Sequence, residues 1–88
     1  MSLSLGANTL VLVVTAAVTG ALPGPAGKYL LTTNTDCFVR FDGDVASKTV
    51  FDLFMPAGAA IVVSPGSGLN LSVIRDIADG TLVIQEVL

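Results

Sequence analysis

The sequence predicts an all-β domain, a small antiparallel β-sandwich or barrel of six to seven short strands. Three observations carry that expectation. Short apolar runs alternate with period two, as in residues 37–42, where Cys37, Val39 and Phe41 fall on one side and Phe38, Arg40 and Asp42 on the other. Clusters of Gly, Pro, Asn and Asp separate these runs at short, even intervals. No long helical period develops anywhere in the 88 residues, a length with room for one modest core.

The first strand is expected over residues 10–16. Leu10, Leu12 and Val14 share one face; Val11, Val13 and Thr15 share the other. Both faces are apolar, so both call for cover: the strand is either central to the core or buried against another subunit. Residues 20–27 hold two Pro and three Gly, which forbid a continuous ladder or helix. They read as a loop, or as a linker that lets an N-terminal arm reach a neighbour. The chain is accordingly divided into residues 1–27, a strand or arm with its loop, and residues 28–88, the β-sandwich core.

A second strand follows over residues 28–33, and Asn34-Thr35-Asp36 is the turn into the strand at 37–42. Asp42-Gly43 breaks that strand, and residues 45–49 form a polar loop. Residues 50–55 alternate again, with Phe51, Leu53 and Met55 expected inward. Pro56-Ala57-Gly58 is a turn, residues 59–64 a short strand, and Pro65-Gly66-Ser67-Gly68 a further turn. The segment 69–77 has both helical spacing (Leu71, Ile74, Ala78) and strand spacing (Leu69, Leu71, Val73). A hairpin across Ala78-Asp79-Gly80, with its Asp-Gly turn preference, before the last strand, residues 81–87, decides for strand.

Composition narrows the function. The chain is 52% hydrophobic and only 12% charged, against about 25–35% charged residues on a well-behaved small surface. Large apolar patches on a lone copy follow, and such patches mark interfaces. We therefore expect a homo-oligomer, a subunit of an assembly, or both. A net charge of −3, with Lys28, Arg40, Lys48 and Arg75 far apart, excludes the basic tract that nucleic acid requires. No Lys or Arg precedes the apolar run at residues 9–21, which is also too short to span a bilayer; neither a signal peptide nor a membrane segment is expected. Cys37 is the single cysteine, so it reads as a buried thiol in a protein made in a reducing compartment.

The catalytic inventory is thin. Without histidine there is no Ser–His or Cys–His pair and no imidazole zinc site. No catalytic residue, cofactor or metal ligand is assigned. The Asp42-x-Asp44 pair, with Asp36 and Asp52, is the one oxygen-rich cluster, but the EF-hand register fails: Ala46 and Leu53 stand where ligands belong. Those aspartates read instead as caps on backbone N–H groups. Arg40 and Asp42 are expected to pair across one pleat, or Arg40 to reach a partner subunit.

One ordered set of motifs resembles a known group. Val39-Arg40-Phe41-Asp42-Gly43-Asp44-Val45-Ala46 is followed by Phe51-x-Leu53-x-x-Pro56-Ala57-Gly58, then Leu71, Ser72 and Ile74, then Gly80-Thr81-Leu82-x-Ile84-x-Glu86. With the Asn-Thr turn before an aromatic strand, this resembles small tailed-bacteriophage virion proteins of the capsid decoration (cement) type, over residues 29–87. The resemblance implies a structural protein without catalysis, made in the host cytoplasm and carried on the capsid surface of the virion. It implies homotrimers that clamp the major capsid protein. The expected interface comprises Leu10, Val11, Leu12, Val13 and Val14 for burial, with Arg40, Asp42, Asp44 and Lys48 setting register. The rival expectation is a phage tail or fibre module that recognises a host surface glycan.

Overall fold

A computed structural model describes residues 5–24, 27–42, 44–65 and 69–87, with the backbone alone for residues 5–7. It contains eight strands: β1 (Leu5–Val14), β2 (Val18–Ala21), β3 (Tyr29–Thr33), β4 (Cys37–Arg40), β5 (Leu53–Met55), β6 (Ala60–Val63), β7 (Asn70–Arg75) and β8 (Gly80–Val87). They form two antiparallel four-stranded sheets, ordered β1-β8-β3-β6 and β2-β7-β4-β5. The all-β class is as expected; the architecture is a sandwich, and it has eight strands rather than six or seven.

The pairings β1–β8, β2–β7, β3–β6 and β4–β5 are nested like one long hairpin with its tip between β4 and β5. Rolling that ribbon brings β3 against β8 and β4 against β7, which completes the two sheets. This nested order is that of a jelly roll. Among the described residues, only β4 and β5 are both consecutive and paired. The expected Asp79-Gly80 hairpin is therefore corrected: β7 and β8 lie in opposite sheets. Neither Asp79 nor Gly80 has the positive φ of a type I′ or II′ hairpin turn, and the chain crosses the sandwich there instead.

The core lies between the sheets and follows the period-two pattern. One inner row runs Leu10–Ile84–Leu31–Ile61 and the next Leu12–Leu82–Thr33. The facing sheet contributes Val18–Val73–Val39–Leu53 and Cys37–Met55. Val14, Tyr29, Leu31, Val39, Met55 and Leu71 are wholly buried. Cys37 is buried as expected; burial pushes its thiol above the ordinary value, against a weak opposing bond to Thr33 Oγ1 at 3.7 Å.

Three stretches differ from the sequence reading, each for a physical reason. Residues 5–22 supply an edge strand to each sheet, and Leu12, Val14 and Leu22 belong to the buried cluster. Gly20, expected to open a loop, lies in β2, where a Cβ would stand 2.9 Å from Leu10 Cδ2 and 3.0 Å from Leu12 Cδ2. It is a packing glycine, not a turn glycine. Phe51, expected inward on a strand, is outside: β5 begins only at Leu53, and residues 44–52 fold over the outer face of their own sheet. There the Phe51 ring meets that of Phe38 at a centroid distance of 4.7 Å. Expectations for Gly43 and for the turn at residues 66–68 lie outside the described residues.

The turn Asn34-Thr35-Asp36 ties one end of the sandwich together. Asn34 Oδ1 accepts from Thr81 N (2.7 Å), Thr35 Oγ1 donates to Ala78 O (2.8 Å), and Asp36 Oδ1 accepts from Ala57 N (2.7 Å). Three successive side chains thereby hold the connections after β5 and β7. Gly80 sits directly under this clamp: a Cβ there would meet Asn34 Oδ1 and Thr35 Cγ2 at 2.5 Å. Gly80→Ala is accordingly expected to destabilise the fold by about 1–3 kcal/mol, read as a lower urea midpoint at unchanged slope; an unchanged midpoint would show that the clamp is not tight.

Candidate docking surface

The outer face of the β1-β8-β3-β6 sheet is built by the residues that alternate with the core rows. One row runs Thr9–Gln85–Leu30–Val62 and the next Val11–Val83–Thr32–Ala60, with Val13–Thr81 beyond. No strand position on this face carries a charge. Val11 is 55% exposed, Val13 64% and Val62 42%, large values for aliphatic side chains on a regular strand. The polar members are neutral, and two of them pair across the strands: the Thr9 hydroxyl donates to Gln85 Oε1 at 2.8 Å. The one acid on β8, Glu86, points the other way: it is buried and accepts from Asn8 Nδ2 at 3.0 Å.

Charge is concentrated on the opposite side and at the sandwich ends. The outer face of the β2-β7-β4-β5 sheet presents Thr19–Ser72–Arg40 and Ile74–Phe38–Phe54. Residues 44–52 cover part of it. Ala46 is buried there, its N–H donating to Ser72 Oγ at 2.8 Å. Lys48 reaches Asp76, with Nζ 3.5 Å from Oδ1, and Arg75 pairs with Asp79. Phe38 lies between Phe51 and Phe54, with ring centroids 4.7 and 5.1 Å away. That leaves a half-exposed aromatic cluster on the charged side.

Arg40 and Asp42 pair across the pleat as expected, Nε to Oδ1 at 2.7 Å, and Arg40 extends to Asp44 at 3.5 Å and to Val45 O at 3.2 Å. Asp42 Oδ1 also accepts from Asp44 N (3.1 Å), and Asp52 Oδ2 from Phe41 N (2.8 Å), the capping roles foreseen for these acids. Among the described residues, no group of three His, Cys, Asp or Glu is placed to hold a metal ion. Two depressions flank Ile77 at the turn after β7, one against Asn34 and Asp36 and the other against Lys48 and Asp76. At about 270 and 290 Å³ they fall just short of the ~300 Å³ at which small-molecule pockets begin.

The nine residues expected at an interface therefore separate into three groups. Val11 and Val13 lie on the uncharged outer face. Leu12 and Val14 are in the protomer's own core, and Leu10 packs against it, because only one face of β1 can look outward. Arg40, Asp42, Asp44 and Lys48 lie across the sandwich from Val11 and Val13, so they do not set register for that surface. Leu30, Val62 and Val83 complete the face. Their alternation with core residues was visible in the sequence, but only the strand order brings them beside β1. Comparisons with protein-family models, with curated proteins and with solved structures give no match.

The Arg40–Asp42 bond has a measurable signature. The hydrogen bond from Arg40 holds the Asp42 carboxyl below its ordinary value of 3.8, with the Asp44 N–H adding to the effect. Because the folded-state value is depressed, whatever the pair contributes is present at neutral pH and lost as pH falls through that lowered value. An NMR titration is expected to place the Asp42 midpoint below 3.8, and Arg40→Gln to raise it; a midpoint indifferent to Arg40 would contradict the pairing.

Proposed function

We propose that this chain is a structural virion protein, a capsid decoration subunit that docks on the major capsid protein of a tailed phage through the uncharged outer face of the β1-β8-β3-β6 sheet. The observation that carries the reading is that face: two rows and part of a third, without a charge, on a chain already short of charged side chains. Burial of about 25 cal/mol per Å² rewards covering such a surface, and the neutral Thr and Gln side chains on it cost little to desolvate when they pair among themselves. The jelly-roll order is compatible with it, since that architecture serves in viral capsids, although lectins and cupins share it. The motif resemblance over residues 29–87 supplies the phage context.

A phage tail or fibre module that recognises a host glycan is the second reading. The half-exposed rings of Phe38, Phe51 and Phe54 favour it, since sugar rings stack on aromatic faces within polar surroundings.

Mass spectrometry of purified phage particles is expected to find the chain, and purified protein to co-sediment with isolated head shells. Val13→Lys puts an ammonium on the docking face at a largely exposed position, so the variant is expected to stay folded and lose shell binding. Shell binding unaffected by Val13→Lys, or particles without the chain, would contradict the proposal; glycan-array binding that is lost in Phe54→Ala would support the second reading.

A further inference from the structure

Each sheet has two edges, and natural proteins blunt such edges with short strands, prolines or charges. Three of the four edges here are blunted. β2 has four residues and is followed by Pro23; β5 has three and is followed by Pro56; β6 has four and is followed by Pro65. β1 is the exception. It runs ten residues, Leu5–Val14, with neither proline nor charge, and among the described residues its only ladder is to β8. A register irregularity lies between Leu5 and Thr9, which leaves Thr9–Val14 as a regular six-residue edge. Along it, alternate N–H and C=O groups point away from β8 and toward solvent.

From this edge we infer that two copies of the chain join through β1, antiparallel and across a two-fold axis, to make one eight-stranded sheet. A strand can pair with its own copy only if nothing along it repels itself. β1 meets that condition, since Thr9, Leu10, Val11, Leu12, Val13 and Val14 are all uncharged. The two-fold axis must keep outer side chains with outer ones, so odd-numbered residues face odd-numbered residues. With Val11 near the axis, Val11 meets its own copy and Thr9 meets Val13, both β-branched pairings suited to a sheet. Leu10 and Leu12 meet on the inner face and join the two cores.

Pairing also changes what the outer face can bind. Four strands ~4.8 Å apart and about six residues long present roughly 380 Å². That is about half of the ~800 Å² per partner that a standard interface uses, and two joined copies reach it. The pairing stands without the capsid; only this gain in area rests on the docking reading. A two-fold pair would take the place of the three-fold ring implied by the motif resemblance.

Native mass spectrometry and sedimentation of the full-length protein test the pairing in solution, together with amide exchange along β1. The expected result is a dimer in which the β1 amides that point away from β8 become protected as concentration rises. Val11→Lys, which sets two ammonium groups against each other at an exposed site, is expected to give a folded, β-rich monomer. A monomer at every concentration, a trimer, or a dimer whose outward β1 amides exchange at the free rate would each overturn the inference. Shell binding by a protein that proves monomeric would leave the docking reading standing and remove only the pairing.

Discussion

Four cations and seven carboxylates are all the charge available to keep this sandwich wet, and their placement governs the rest of its surface. Arg40, Lys48 and Arg75 each sit beside an aspartate in a loop or turn of the β2-β7-β4-β5 half. Glu86 is turned inward. Lys28 stands one residue before β3, at the end of the opposite sheet, and no strand position on that sheet's outer face is charged. A chain that clothes one side with ion pairs and leaves the other to valine, threonine and leucine has built a molecule with two chemically distinct sides. The Arg40 cluster is exposed and screened, so its role is local: it holds Asp42, Asp44 and Val45 beside β4 rather than adding much stability.

The nested strand order explains why so short a chain can hold two sheets. Most inner rows join strands distant in sequence, so their side chains fasten the ends of the ribbon to its middle. Loss of β1 would therefore open the core as well as the edge, since Leu12 and Val14 lie among the wholly or nearly buried residues. At one end, the clamp made by Asn34, Thr35 and Asp36 substitutes side-chain hydrogen bonds for the ladder that crossing connections cannot make. Tight turns between sheets have unpaired backbone groups, and these three residues satisfy several of them at once.

Much of the fold was legible in the sequence because strand periodicity is local. β3, β4, β6, β7 and β8 were each foreseen within a few residues, and so were the turns at residues 34–36 and 56–58. What failed was non-local. Gly20 resembled punctuation until Leu10 and Leu12 were seen against it, and Asp79-Gly80 resembled a hairpin until β7 and β8 were found in different sheets. Phe51 kept the alternation of a strand but was taken by a ring contact with Phe38. The docking face was half legible: Val11 and Val13 stood out as the second apolar side of β1. Leu30, Val62 and Val83 alternate with core residues in the sequence, but only the order β1-β8-β3-β6 makes them neighbours of Val11 and Val13.

The account turns on the claim that the uncharged face is covered when the protein is at work. Hydroxyl-radical footprinting of the chain, free and in the assembled particle, examines that claim residue by residue. It predicts strong protection of Val11, Val13, Val62 and Val83 in the particle while Ile77, 85% exposed at the charged end, stays reactive. Equal labelling of those four valines in both states would contradict it.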